Sequence, residues 1–328
     1  MFKKPIQMLV AAGLILAFTR TVVCASDKIN SSALSHYIMG VFYDDLGEVN
    51  EAIEEYRKAL STDSTSAAIH LNLATSLIKK NDLPAATEEL KRVIILDPEA
   101  VEPHAILAVL YSVGNKADLA LGEYETALKQ ASKLNSKDVE IYQALGALYL
   151  KQHRLIEALG VYRIISGLSP DDPNAHFYIG AIYGELKNYE LCEKELRKAI
   201  GLKPDYAEAL NYLGYELVEW NKDLNQAELM IKKALFLEPD NGAYLDSLGW
   251  LYYKKAKLRE ARELLEKASS LMEDPVIYDH LGDVYSRLKE IDQAKLNWQK
   301  SLKLDPKQDS VKKKIETSDK NAGNAKSD

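Results

Sequence analysis

Cysteine is nearly absent from this chain. The two cysteines are Cys24, in an apolar N-terminal segment, and Cys192. If the N-terminal segment is removed, the remaining cysteine has no partner within the chain, so no intrachain disulfide can form even in an oxidising compartment. The fold is therefore expected to be stable through packing alone.

Motifs that mark common catalytic and nucleotide-binding sites are also missing. The sequence contains no HExxH, GxSxG, GxxxxGK[ST] or GxGxxG segment. Four histidines, His36, His70, His104 and His176, recur at one place in successive segments instead of clustering. Neighbouring helices stand ~8–10 Å apart whereas His–Zn bonds measure ~2 Å, so these histidines are interpreted as packing residues. The sequence thus predicts no catalytic residue, no metal site, no cofactor and no enzymatic activity.

There is no excess of positive charge. The chain has 42 basic and 49 acidic residues and a net charge of −7. Loss of residues 1–25 would remove three basic residues and no acid, which makes the balance more negative. Without a basic stripe, such a chain is not expected to bind nucleic acid.

Long apolar runs are missing except at the N-terminus. There two lysines precede an apolar run over residues 6–18, and small residues lead up to Ala25. This pattern is typical of a secretory signal peptide, so residues 1–25 are predicted to direct export to the periplasm or cell envelope and then to be cleaved. An uncleaved anchor and lipidation at Cys24 are the two alternatives, and membrane association is expected only through one of them.

What the sequence has in abundance is one period. A small residue returns eight times, at spacings of 33 to 38 residues, and a bulky residue follows each by three. The small residues are Gly40, Ala74, Ala108, Gly146, Gly180, Gly214, Gly249 and Gly282. Ala or Cys stands twelve or thirteen residues later, and Pro closes five of the units. A period of this size predicts a stack of repeats.

Each unit is interpreted as two helices, in which the small residue of the first allows the second to approach closely. The pattern, as in "HFYIGAIYGELKNYELCEKELRKAIGLKP", resembles the tetratricopeptide repeat (TPR). The resemblance implies an all-α fold, an α-solenoid in which eight TPR hairpins form a right-handed superhelix with a concave groove. The predicted repeats are 33–66, 67–100, 101–138, 139–172, 173–206, 207–241, 242–274 and 275–308. Residues 26–32 are expected to be a short lead, and residues 309–328 a capping turn or two and a disordered tail.

The predicted repeats are not equivalent. Four extra residues follow the third, so that either its second helix is one turn longer or a loop carries the insertion. Aromatic, charged and amide residues collect on the expected groove face of repeats 5–8. They are Phe177, Asn211, Tyr215, Asp246, Trp250, Tyr253, Lys254, Asp279 and Arg287. Aromatic and Arg side chains dominate interface energies, which favours a partner-binding groove. The alternative is that Trp250 and Tyr253 pack against the next helix.

Residues 207–300 are similar to the C-terminal repeats of bacterial envelope TPR proteins. That similarity implies a non-enzymatic scaffold or adaptor that is exported to the envelope and binds a protein or peptide client in its groove. The alternative is a structural subunit of an envelope export, pilus or polysaccharide secretion complex.

Overall fold

A computed structural model describes residues 31–324, with side chains to residue 318. The predicted signal peptide and residues 26–30 of the predicted lead lie outside the described residues. The described part contains seventeen helices and no strand. They are α1 (Ser31–Leu46), α2 (Val49–Thr62), α3 (Ala67–Lys79), α4 (Leu83–Leu96), α5 (Glu102–Val113), α6 (Ala117–Leu134), α7 (Val139–Lys151), α8 (Leu155–Leu168), α9 (Pro173–Glu185), α10 (Tyr189–Leu202), α11 (Ala207–Glu219), α12 (Leu224–Leu237), α13 (Gly242–Lys254), α14 (Leu258–Leu271), α15 (Pro275–Arg287), α16 (Ile291–Leu304) and α17 (Asp309–Asn324).

The first sixteen helices follow the predicted order of eight pairs. The odd-numbered helices from α1 to α15 are here called A helices, and the even-numbered helices from α2 to α16 are called B helices. The described chain divides into two compact units, and the boundary lies between Val161 and Tyr162, inside α8. No helix among the described residues combines the length and apolar character needed to cross a membrane.

Close approach of the two helices of a pair depends on the small residue of the A helix, as the sequence predicts. At Gly249, a Cβ atom would lie 2.7 Å from Leu265 Cγ and 3.3 Å from the carbonyl oxygen of Ala261. At Gly214, it would lie 2.6 Å from Ile231 Cγ1. Real Cβ atoms essentially never approach other atoms to less than 3.0 Å, so these two positions require glycine as the B helices now lie.

Each A–B turn contains a residue in the left-handed backbone region seven residues after the small residue. These are Gly47, Asn81, Asn115, His153, Lys187, Asn221, Ala256 and Lys289. Only the first is glycine, and left-handed backbone at other residues costs about 1 kcal/mol or more. Helix pairing therefore imposes the turn conformation in the other seven repeats, where local preference opposes it or, at asparagine, favours it only weakly.

The four regularly spaced histidines pack between the helices of their own pairs. The Nδ1 atom of His70 lies 2.6 Å from Glu89 Oε2, and that of His176 lies 2.7 Å from Glu195 Oε2. His36 and His104 have the same contact, with Glu55 and Glu123. In all four cases the glutamate follows 19 residues later on the B helix. The sequence interpretation of these histidines as packing residues agrees with this placement.

The four-residue insertion lengthens a helix. α6 has 18 residues, whereas the other B helices have 14. Of the two alternatives, the extra turn is therefore the correct one.

The segment after repeat 8 was expected to form at most two turns, and this expectation is wrong. α17 has 16 residues. Val311 is fully buried, and Ile315, one turn later, packs against the same core cluster of α14, α15 and α16. This short apolar stripe was underestimated because the segment is otherwise polar. Residues 325–328 of the predicted tail lie outside the described residues.

The glycine contacts predict opposite effects for two Gly→Ala substitutions. Gly249→Ala should lower the free energy of unfolding by about 1–3 kcal/mol, because the added methyl group collides with Leu265. Gly160→Ala on α8 meets no atom within 4 Å, so it should raise stability by about 0.5–1 kcal/mol. Urea unfolding followed by circular dichroism measures both. Equal effects of the two substitutions would contradict the role assigned to Gly249.

Candidate functional site

In the second unit, successive A helices pack directly on one another: α9 on α11, α11 on α13, and α13 on α15. The surface that these four helices form is here called the A face. All nine residues predicted to bind a partner lie on these helices. Contacts between residues about one repeat apart therefore decide which of them are accessible.

Four side chains on α13 and α15 form a continuous stack. The His280 ring lies 4.0 Å from the Trp250 ring at 10°, and Trp250 lies 4.6 Å from Tyr253 at 7°. The Arg287 guanidinium stands 4.8 Å from the Tyr253 ring. Offset stacking and cation–π contacts of this kind each contribute about 0.5–1.5 kcal/mol beyond burial. The stack joins the A helices of repeats 7 and 8.

The His280 ring of this stack also contacts a carboxylate on α13. His280 Nδ1 is 2.9 Å from Asp246 Oδ1, and both side chains are buried. Burial lowers the pKa of His280, but the charge and hydrogen bond of Asp246, together with weaker charges nearby, raise it above 6.5. The charges of Asp279 and Asp283 act in the same direction. The pair therefore stabilises the fold below pH 6.5, and this stabilisation is lost as the pH rises through the folded-state pKa.

The helix after repeat 8 supplies a cation to α15. Lys314 Nζ lies 2.7 Å from Asp279 Oδ1 and 2.7 Å from Asp283 Oδ2. Trp298 also donates to Asp283, at 3.1 Å. Asp279 is thus engaged within the chain by α17.

At repeat 5, Phe177 is enclosed by tyrosines. Its ring lies 5.3 Å from the Tyr206 ring and 6.0 Å from the Tyr212 ring. The Tyr212 hydroxyl donates to the carbonyl oxygen of Ala181, at 3.2 Å. These contacts pack α9 against α11.

Three predicted groove residues are buried, so their interpretation as open binding surface is wrong. The exposed fractions of Phe177, Asp246 and Trp250 are 4%, 6% and 8%. Trp250 also donates to Glu219 Oε1, at 2.6 Å. The alternative in which Trp250 packs against the next helix is the correct one. Helical phase gives the direction of a side chain, but not the distance of the next A helix.

The other six predicted residues retain accessible surface. Asn211, Tyr215, Tyr253 and Asp279 are partly buried, and Lys254 and Arg287 are exposed. Lys254 Nζ stands 4.9 Å from the Trp250 ring and 3.6 Å from Glu219. That these six residues bind a partner stays a prediction.

α11 carries polar groups that the chain satisfies only in part. The Oδ1 atom of Asn211 is buried and has no hydrogen-bond partner. Burial raises the pKa of Glu216, although hydrogen bonds with Trp220 and Tyr212 oppose this, and desolvation also raises the pKa of the more exposed Glu208. In the described part of the chain, no Lys or Arg forms an ion pair with either carboxylate. Sequence reasoning missed both glutamates, although α11 contains three glutamates and no basic residue.

A pocket beside α10 contains a carboxylate that already forms ion pairs within the chain. Tyr189 and Trp220, with rings 5.1 Å apart, line it together with Glu193. The Glu193 carboxylate pairs with Arg197 at 2.8 Å and with Lys222 at 2.7 Å. The unpartnered acceptor and the uncompensated carboxylates of α11 therefore make the A face the stronger candidate site.

Comparison with known families agrees with the repeat pattern. Family models described as tetratricopeptide repeat match residues 45–110, 173–206, 242–273 and 276–308. The chain belongs to the tetratricopeptide repeat family. Members of this family generally mediate protein–protein interactions, and the TPR fold is typically a non-catalytic scaffold.

Individual relatives are distant. A TPR repeat-containing protein of Pseudomonas aeruginosa is 34% identical over 115 residues, which is 35% of this chain and 19% of that protein. A TPR repeat-containing protein of Methanocaldococcus jannaschii is 24% identical over 288 residues, or 80% of this chain and 48% of that one. The human protein O-mannosyl-transferase TMTC1 is 24% identical over 51% of this chain and 19% of its own length. The chain thus spans less than half of the length of these relatives.

A solved structure supports the α-solenoid of TPR hairpins. A tetratricopeptide repeat protein from Parabacteroides merdae superposes with a TM-score of 0.56 at 19% identity. The match covers 77% of this TPR chain and 98% of that one. At this identity the likeness shows the fold alone.

The buried contact between His280 and Asp246 predicts that the pKa of His280 depends on the Asp246 carboxylate. In the wild type, NMR should place the midpoint of His280 above 6.5. In Asp246→Asn it should fall below 6.5, because burial then opposes protonation with less compensation. A His280 midpoint that does not move would contradict the assigned pairing.

Burial of Trp250 predicts a structural effect of its removal. Trp250→Ala should lower the free energy of unfolding by about 3–5 kcal/mol, because it opens a cavity between α13 and α15 and breaks the stack. Thermal unfolding followed by circular dichroism measures this. Lys254→Ala, which removes an exposed side chain at the edge of the stack, should cost less than about 1 kcal/mol. Wild-type stability of Trp250→Ala would instead support an open groove.

Proposed function

We propose that this TPR protein is a non-enzymatic scaffold or adaptor that binds an extended segment of a partner protein on α11 of the A face. The observation that carries the proposal is the buried Oδ1 atom of Asn211, which has no donor. An unpaired buried acceptor costs about 1–3 kcal/mol, and a backbone N–H group of a bound peptide would remove that cost.

The neighbours of Asn211 indicate the chemistry of the partner. Glu208 and Tyr215 lie three or four residues from Asn211 on the same helix, which places their Cβ atoms about 5–6 Å from it. Glu216 lies on the Tyr212 side of the same helix, where burial raises its pKa and no Lys or Arg pairs with it in the described part of the chain. Burial also raises the pKa of Tyr215, which keeps its hydroxyl neutral and able to donate or accept. A segment that contains Lys or Arg fits this surface better than an acidic one.

The packing around α11 supports a preformed site. The Trp250 stack on one side and the Phe177 cluster on the other fix the neighbouring A helices. Binding to a rigid surface loses less conformational entropy, so modest contacts are sufficient for a useful affinity. Phe177, Asp246 and Trp250 have a supporting role in this arrangement, and Asn211, Tyr215 and the glutamates contact the partner.

The proposal predicts that Asn211→Ala separates binding from stability. A fluorescent octapeptide of alternating Lys and Thr should bind the wild type with an affinity that falls as salt rises, and the Glu/Thr counterpart should not bind. Asn211→Ala should weaken binding about tenfold, which corresponds to ~1.4 kcal/mol. Its free energy of unfolding should be unchanged or higher by up to about 1 kcal/mol, because an unpaired acceptor is removed. Fluorescence anisotropy and urea unfolding measure the two quantities.

A matched pair of charge variants locates the contact. Glu216→Gln on α11 should weaken binding of the Lys/Thr peptide, whereas Glu263→Gln, exposed on the B helix α14, should not. Equal binding by both variants and by Asn211→Ala would exclude α11 as the binding surface.

We further propose that the protein acts in the cell envelope after export. The pattern in residues 1–25 supports this, with a retained anchor or Cys24 lipidation as the alternative forms. Fractionation of the host combined with the intact mass of the protein tests the proposal. A cytoplasmic protein that retains residues 1–25 without modification would contradict it.

A further inference from the structure

One face of α1 exposes a row of large apolar side chains. Four of them are spaced four residues apart and one lies beside them, and their exposed fractions range from 38% to 58%. They are Leu34, Ile38, Met39, Phe42 and Leu46. We call this row the α1 face. A contiguous patch of this kind on a folded protein is commonly an interaction surface.

The equivalent residues of the other repeats show what this face normally does. The residues equivalent to Met39 are exposed by only 0% to 6%. They are Leu73, Leu107, Leu145, Ile179, Leu213, Leu248 and Leu281. The α1 face is therefore built like the core-forming surface of the later A helices.

The residues at the position of Ile38 in later repeats show which element this surface of an A helix contacts. Asn72 donates to the Tyr37 hydroxyl at 2.9 Å, and Tyr212 donates to Ala181. His280 contacts Asp246. In each case the partner lies on the A helix of the preceding repeat. No repeat precedes α1 among the described residues, so this surface is left uncovered there.

The last described helix, α17, differs from α1 in the polarity of its exposed side chains. α17 covers the core of repeat 8 with Val311, and the side chains it exposes are polar. They are Asp309, Ser310, Lys312, Lys313, Glu316 and Thr317. A polar outer surface of this kind is typical of helices that cap a repeat stack. It also makes head-to-tail association unfavourable, because the apolar α1 face would meet charged groups.

We propose that the α1 face pairs with the α1 face of a second copy of this chain, to form a closed two-fold dimer. Such an interface is self-complementary, because each copy supplies the same apolar row. It differs from the partner site on α11 and does not depend on it. The dimer would present two A faces to a partner, which increases avidity for a multivalent client.

Charge favours antiparallel over parallel pairing of the two α1 helices. The first turn of α1 contains no acidic residue and its last turn no basic residue, while Asp44 and Asp45 lie near its C-terminal end. Asp44 is paired with Lys79 at 2.8 Å, and antiparallel pairing places this acidic end of each α1 near the N-terminal end of the other, where the helix dipole favours negative charge. Parallel pairing would bring the acidic ends together. The spacing of Leu34, Ile38 and Phe42 then sets Ile38 near the two-fold axis.

The apolar area of the α1 face comes close to that of a specific dimer interface. With about 200 Å² for a large side chain, the exposed fractions of the α1 face correspond to roughly 500 Å² per copy, or roughly 1,000 Å² for the pair. Specific interfaces bury about 1,200–2,000 Å² in total, and the polar rim of the contact adds to the apolar centre.

Analytical ultracentrifugation of the full chain tests the proposal. The wild type should dimerise with a dissociation constant on the order of micromolar, and Ile38→Glu should raise that constant about tenfold or more with unchanged helical content. Phe236→Glu is the matched control, because Phe236 is 84% exposed on α12, far from α1 in the sequence. It should dimerise like the wild type. A wild type that stays monomeric at about 100 μM, or equal dimerisation of wild type and Ile38→Glu, overturns the proposal.

A disulfide identifies what covers the face. Ile38→Cys should give a disulfide-linked dimer under mild oxidation, whereas the wild type and Phe236→Cys, treated identically, should not. The wild type controls for Cys24 and Cys192; Cys192 is fully buried, and burial raises its pKa to about 12. If the thiol introduced in place of Ile38 instead bonds to Cys24 of its own chain, residues 1–30 cover the face and the dimer proposal is wrong.

Discussion

The fold depends on the distance at which each B helix crosses its A helix. Where the B helix presents a bulky side chain, the A helix offers a small residue: a Cβ atom at Gly249 would lie 2.7 Å from Leu265 Cγ, and Ala74 packs beside Leu90. This contact sets the helix pair, and the pair then imposes left-handed backbone on residues such as Lys187 and Ala256 at the turn. The repeat thus begins with a packing constraint, and the turn conformation follows from it.

The close approach of successive A helices has a second consequence, which is the burial of polar groups in the second unit. Asp246 and His280 lie 34 residues apart and form an ion pair, and Arg287 donates to the Tyr253 carbonyl oxygen across the same interval. A buried ion pair contributes little net stability because desolvation opposes it, yet removal of one partner is costly. Such pairs therefore favour one register between repeats, since any other register would leave a buried charge alone.

The sequence predicted the features that depend on one repeat and missed those that depend on two. The period, the paired helices and the glycine positions follow from helical phase within a unit. Trp250 and Phe177 were misplaced because phase cannot show that the next A helix covers them. A comparison of residues one period apart, such as Asp246 with His280, offers a signal for these contacts. α17 was underestimated because two apolar residues, Val311 and Ile315, are enough to hold a helix on an existing core.

Once packing has engaged most of the polar groups of the A face, the exceptions become informative. Asp279 is held by Lys314 and Asp246 by His280, so neither needs a partner from outside. Asn211 Oδ1 has no donor, and the Glu216 carboxylate on the same helix forms no ion pair with Lys or Arg in the described part of the chain. An unpaired acceptor lowers the stability of the free protein. Its presence on α11 is explained if a bound segment supplies the donor, and this is why stability and binding are expected to respond in opposite directions at Asn211.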